Sequence, residues 1–283
     1  MNEEARFIKH KNIDKILNDI ESKLSIKVGI NDLIYYTEGA TDSIVFSIAN
    51  KYLVKTVDSL TFKSQLAFLD FYKDIECFQK VVCCNEDLQY ICFEFIDGIK
   101  LVNSELDAHE IVRQIYRIVN EYKEYDYEYY GYLYEDKKSW YEFLNDEVKF
   151  SDEIIKQLDM SFPEVSEALE SLKAYTSGKY LLHGDFGAHN FLVSDSKLKV
   201  IDPMPVVGDY LYDFYFAVFS DLKVFKDIDY NELLVYFGRD IKTKRNIMLI
   251  AFYIRLARCY AYTIDDFDEY LNYYNILISN KYK

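Results

Sequence analysis

The sequence predicts an α+β protein of two lobes: an N-terminal five-stranded antiparallel sheet with one inserted helix, then a mainly helical C-terminal lobe. Three observations point there. Five short runs rich in β-branched and aromatic residues crowd between residues 32 and 95. From Ser104 onward apolar residues recur at helical spacing instead. Between the two regimes stands Asp97-Gly98, a connector dipeptide. The expected lobes are residues 1–97 and 98–283.

The elements follow in order. Ile13, Ile16, Leu17, Ile20 and Leu24 carry a helical stripe over residues 13–24. Asp32–Tyr36, Ser43–Ile48 and Tyr52–Val57 read as three strands, separated by Glu38-Gly39-Ala40-Thr41-Asp42 and Ala49-Asn50-Lys51. Thr61–Tyr72 is the inserted helix, with Phe62, Leu66, Phe68, Leu69 and Tyr72 among its apolar positions. Glu76–Cys84 and Leu88–Phe95 complete the sheet. Ser104–Tyr122, Ser139–Val148 and Pro163–Tyr175 read as helices, the last opened by a Ser161/Glu164 capping box with Pro163 in its first turn. Phe191–Val193 and Leu198–Ile201 form a hairpin. Helices return over Tyr210–Leu222, Asn231–Phe237, Thr243–Tyr262 and Asp266–Ile278, and the tyrosine-rich run 122–134 is expected to be helix and packing surface.

Composition bounds the function. Half of the 283 residues are apolar and 29% are charged, as in a folded globular protein. A net charge of −15 opposes nucleic-acid binding, which needs Lys and Arg on phosphates, and suits a cationic small substrate. The five cysteines have no framework spacing and no CxxC, so free thiols in a reducing compartment are expected. The start MNEEARFIKHKNIDKIL lacks an apolar signal core, and no apolar run approaches membrane-span length. The expectation is a cytoplasmic protein with no membrane or nucleic-acid partner.

The chemistry concentrates in Leu181-Leu182-His183-Gly184-Asp185-Phe186-Gly187-Ala188-His189-Asn190, with Asp202 twelve residues beyond. Phosphoryl transfer needs this set. Asp185 is the candidate base for a hydroxyl proton; Asn190 and Asp202 are candidate magnesium ligands, since magnesium takes oxygen donors and bridges phosphates. His183 is read as a brace for the loop. Lys55, amid apolar strand residues, is the candidate point charge on the nucleotide phosphates. Ser43, ending the single-glycine turn Glu38–Ser43, could approach the phosphates, although an ordinary hairpin turn reads the same way. The backbone at Glu94 and Ile96 is the candidate contact for an adenine edge. Asp209 suits a helix N-cap, and Asp213 would brace the loop from below.

Taken together, His183-Gly184-Asp185…Asn190, Ile201-Asp202, Gly208-Asp209…Asp213, Lys55 and Glu94…Gly98 resemble the aminoglycoside phosphotransferase family of the protein-kinase-like fold. The resemblance implies phosphorylation of a small-molecule hydroxyl with Mg2+ and ATP or GTP as donor. Three departures stand out. The helix after Lys55 shows Gln65 where the family usually has Glu, with Asp70 and Glu76 as substitutes. Pro203-Met204 follows Asp202, and Gly187 follows Asp185 by two, both arguing against a protein kinase. For an aminoglycoside the resemblance implies an acidic pocket, for which Asp265, Asp266, Asp268 and Glu269 are candidates, or else the acids of the 121–147 region, Glu121, Glu124, Asp126, Glu128, Glu135, Asp136 and Glu142. The alternatives are a metabolic kinase of choline, methylthioribose, homoserine or fructosamine type, or a catalytically silent kinase-like binding protein.

Overall fold

The computed structural model describes residues 3–36 and 43–279. The chain divides into two units, Met1–Gly98 and Ile99–Lys283. In the first, α1 (Glu3–Leu24) precedes β1 (Leu33–Tyr36), β2 (Val45–Ile48), β3 (Tyr52–Thr56), α2 (Ser59–Phe71), β4 (Val81–Asn85) and β5 (Tyr90–Glu94). The five strands form one antiparallel sheet in the order β1-β2-β3-β5-β4. Between β2 and β3 the chain reverses through Ala49 and Asn50, at φ 51° and 52°. Two successive left-handed residues match the twist of paired strands. Side chains alternate along β5. Tyr90 and Cys92 join Ile16 and Ile20 of α1, Phe46, Ile48 and Val54 in a buried cluster. Ile91 and Phe93, equally buried, point to the other face. Asp58 caps α2, accepting from Leu60 and Thr61 N–H at 2.9 and 3.0 Å.

The second unit holds β6 (Ile99–Lys100), α3 (Ala108–Asn120), β7 (Gly131–Tyr132), α4 (Trp140–Ile155), α5 (Pro163–Ser171) and β8 (Tyr180–Leu182). Then come β9 (Phe191–Ser194), β10 (Lys197–Val200), β11 (Val206–Gly208), α6 (Tyr210–Val218), α7 (Tyr230–Leu233), α8 (Ile241–Tyr262) and α9 (Phe267–Ser279). Two small antiparallel sheets, β10-β9-β6 and β7-β11-β8, flank the loop from His183 to Asn190. Helix α8 is buried almost all round from Ile247 to Ala257, and α4, α5, α6 and α9 pack around it. At Gly208 a Cβ would lie 2.0 Å from the Trp140 ring, so only glycine lets that buried indole cross the end of β11.

Several elements differ from the sequence reading. The stripe over 13–24 is the inner part of a helix beginning at Glu3. The strand expected from Glu76 starts at Val81, and Glu76 lies in an exposed turn. The tyrosine-rich run is not helical. Its N–H groups bond to other segments, Tyr125 to Lys179 O at 2.8 Å and Tyr130 to Lys137 O at 2.9 Å. Its rings pack on each other, with Tyr132 and Tyr134 stacked at 5.4 Å. The helix expected over 231–237 is a single turn. The Ser161/Glu164 box does not form: Phe162 precedes α5 without a side-chain cap, and Glu164 accepts from the Tyr274 hydroxyl at 3.0 Å. Most of the Glu38–Ser43 turn lies outside the described residues.

Candidate active site

The loop between β8 and β9 is held from beneath. Asp213, buried on α6, accepts from His183 N–H at 2.8 Å, Gly184 N–H at 3.2 Å and the Tyr122 hydroxyl at 2.8 Å. Burial pushes its carboxyl up to about 7, against the pull of those three donors. Asp209 caps α6 through Leu211 N–H at 2.9 Å and accepts from the Tyr175 hydroxyl; burial raises its pKa as well. His183 is fully buried, and its Nε2 donates to the Ile201 carbonyl at 3.0 Å. Burial lowers its pKa to about 4, so the ring is neutral at physiological pH. Gly184 takes φ +79°, and a Cβ there would stand 1.9 Å from the Met204 carbonyl oxygen. The Met204 N–H bond to His183 O, 2.9 Å, fastens the loop to the segment that follows Asp202.

On this base stands Asp185. Its Oδ2 meets His189 Nε2 at 3.0 Å and Asn190 Nδ2 at 3.0 Å, and Arg258 approaches Oδ1 at 3.5 Å. Burial alone would raise its pKa. His189 and Arg258 outweigh burial and hold the carboxyl well below the usual range. Asn190 also donates to the Asp185 carbonyl at 2.8 Å, leaving its amide oxygen as the atom it can present to a cation. The Asn190 carbonyl accepts from Ile201 N–H at 3.0 Å, one residue before Asp202. Asp202 adopts φ 60°, a left-handed conformation that Asp tolerates better than most residues. Both Asp185 and Asp202 act electrostatically on His183. One amide oxygen and one carboxylate suit magnesium, whose remaining positions go to water and phosphate. Among the described residues no cluster of three His, Cys, Asp or Glu could hold a metal without such help.

Five contributors were not singled out by the sequence reading. Arg258 lies on α8, stacks over Phe216 at 4.8 Å and pairs with Glu147 of α4 at 3.6 Å. Glu147 is itself largely shielded from solvent, and desolvation raises its pKa against the pull of Arg258. The signal was present: Arg255 and Arg258 interrupt an apolar helix, and buried charge needs a partner. His189 was passed over beside the more conspicuous Asn190. One helical turn before Arg258, Arg255 donates to Ser220 O at 2.9 Å, and Ser220 Oγ accepts from Ala188 N–H at 2.7 Å.

Of the remaining candidates, Lys55, Gln65, Ser43, Glu94 and Ile96 belong to the first unit and the four acids near the C-terminus to the second. Lys55 sits half-buried on β3, in register with Val45 and Ile91. Gln65 is buried on α2, whereas Asp70 is exposed and pairs with Lys73 at 3.4 Å. Ser43 is half-buried. Glu94 ends β5 with its N–H donated to Lys80 O at 2.9 Å, two residues before Ile96. Asp266 pairs with Lys223 at 2.7 Å, while Asp265 and Asp268 are exposed and Glu269 half-buried. The side-chain partners of Asp185 are His189, Asn190 and Arg258, so none of these four acids contacts it.

No protein-family model matches the chain, and no curated protein matches it. Solved structures do. Choline kinase LicA from Streptococcus pneumoniae aligns with a TM-score of 0.56 at 17% identity, over 94% of this chain and 97% of that one. Aminoglycoside phosphotransferase APH(4)-Ia aligns at 0.61 and 15% identity, over 95% and 98%. A protein assigned by name as a fructosamine-3-kinase, from Haemophilus somnus 129PT, aligns at 0.63 and 14% identity, over 94% and 96%. The α+β architecture built here, a five-stranded antiparallel sheet followed by a helical part, is the protein-kinase-like fold of these phosphotransferases.

Proposed function

We propose that the chain is a small-molecule kinase, transferring the terminal phosphoryl group of a nucleoside triphosphate to a hydroxyl of a cationic substrate. The observation that carries this reading is the joined pair Asp185 and Asn190, braced by Asp213 and tied to the segment bearing Asp202. Asp185 orients the acceptor hydroxyl and receives its proton. A carboxylate held at low pKa is a weak base, which suits late proton transfer in a loose transition state. Asn190 and Asp202 would hold Mg2+, which when bound offsets phosphate charge. Lys55, Ser43, Glu94 and Ile96 are assigned to the nucleotide on the sequence pattern alone.

The substrate class follows from charge and likeness. Choline, aminoglycosides and fructosamines, named for the similar structures, are all hydroxylated amines. One of those structures was solved with AMP-PNP and hygromycin B. A net charge of −15 favours such cations. An aminoglycoside is the first candidate; a choline-, methylthioribose-, homoserine- or fructosamine-type metabolite is the alternative. The test is ADP or GDP release with each triphosphate, across hygromycin-type and kanamycin-type aminoglycosides and those metabolites. Release that depends on one acceptor and vanishes in Asp185→Ala supports the reading. A protein that binds no nucleotide in magnesium would overturn it.

A further inference from the structure

The first unit carries a cluster of nucleophilic and titratable groups that the proposed reaction does not use. Cys83 on β4 stands directly opposite Cys92 on β5, just past the bulge that follows Val81. Opposed residues of antiparallel strands lie about 4.5–5.5 Å apart at Cα, inside the span of about 4.4–6.8 Å that a disulfide bridges. Both side chains turn to the α1 face, where Cys92 is fully buried in the cluster with Ile16 and Ile20, and half-buried Cys83 packs against it. Each thiol shifts the ionisation of the other.

Around them is a polar frame. The Tyr90 hydroxyl, on the same face of β5, bonds to Asp19 of α1. Lys23, one turn along α1, pairs with Asp19 at 2.7 Å and donates to Cys84 O at 2.7 Å. Asn85 adds a further bond to Asp19 at 3.0 Å. Cys92, with Tyr90 and Lys23, brings the Cys83 thiol down to about 7 against its burial. Burial raises the neighbouring Cys84. Adjacent thiols of one strand are thus shifted in opposite directions.

We propose that Cys83 and Cys92 form a hydroperoxide-sensitive thiol pair that closes to a cross-strand disulfide beneath α1. The Cys83 thiolate attacks one peroxide oxygen; the O–O bond breaks, and hydroxide leaves to become water. The product is a Cys83 sulfenic acid. Cys92 then attacks the Cys83 sulfur and gives up its proton; the S–S bond forms, the S–O bond breaks, and a second water departs. Two thiols supply the two electrons that reduce the peroxide. A low-molecular-weight thiol restores the pair.

The test uses the whole protein and hydrogen peroxide, without nucleotide or acceptor, so its outcome is independent of the kinase reading. After non-reducing cleavage between Glu86 and Asp87, the peptide bearing Cys83 should be joined to that bearing Cys92. The joined product should be two hydrogens lighter than its reduced parts and be released by a thiol reductant. The linkage should persist in Cys84→Ser. Cys92→Ser should stop at a sulfenic acid on Cys83, captured by dimedone. Before oxidation, Cys83 should alkylate at neutral pH roughly tenfold faster than Cys84, its larger thiolate fraction being partly offset by the lower nucleophilicity of a less basic thiolate. A Cys83–Cys84 linkage overturns the proposal. So do equal alkylation of the two residues, or no linkage at peroxide doses that oxidise free cysteine.

Discussion

At the scale of the residue, the candidate base depends on groups three helices contribute. Arg258 touches Asp185 and is itself held by Glu147, so removing it exposes both carboxylates to each other's field. Arg258→Gln should lower turnover by roughly tenfold to a hundredfold. It should also move the acid limb of the pH profile upward, because Asp185 loses a charge that keeps it ionised. Arg258→Lys should restore part of both, which a purely structural loss would not. Asp213 gives a stability prediction of defined sign. Its folded pKa of about 7 lies well above the ordinary aspartate range. The folded state therefore binds the proton more tightly, and Asp213 adds stability as pH falls from 7 toward 4. Asp213→Asn removes that gain, so the melting-temperature gap between wild type and variant should be wider at pH 5 than at pH 7.5. Asp185 and Asn190 were legible in the sequence because loop spacing fixes their meeting. The pairing of Arg258 with Glu147 was not, since it needs α4 and α8 packed side by side.

At the scale of the element, α8 organises the second unit. Its buried length carries Arg255 toward the Ser220 contact with Ala188, and Arg258 toward Asp185, with the Phe216 ring under both guanidinium groups at 5.0 and 4.8 Å. Its start is capped by Asp240, which accepts from Thr243 N–H at 2.8 Å. Asp240→Ala should cost about 1 kcal/mol in denaturant unfolding. Gly208→Ala should cost about 1–3 kcal/mol, because the Trp140 ring is buried and has to move. Chemical denaturation of each variant measures both. The long elements were readable from periodicity: β2, β3 and β5 as branched and aromatic runs, α8 as an extended apolar helix. The two- and three-residue strands β6, β7 and β11 were not, because their pairing is decided by distant partners. The tyrosine run misled for a related reason: aromatic residues serve an interlocked loop as well as a helix face.

At the scale of the whole molecule, the acidic balance and the donor set make one joint prediction. With ATP and magnesium present, the melting temperature should rise by several degrees, as ligand binding to the folded state requires. A chelator should abolish the rise and any acceptor-dependent ADP release. Asn190→Ala and Asp202→Ala should each weaken the response to magnesium more than to nucleotide. The charge was legible from composition alone, whereas the order of the two small sheets was not. No helix among the described residues is long and apolar enough to cross a membrane. The pairing of Ile99 with Val193 and Lys100 with Leu192 has a further bearing on how the protein is made. A ribosome synthesises one side of that ladder some ninety residues before the other. The earliest piece of the unit therefore waits, unzipped, until the hairpin after Asn190 emerges, and a stall in that interval would leave protease-sensitive nascent chain.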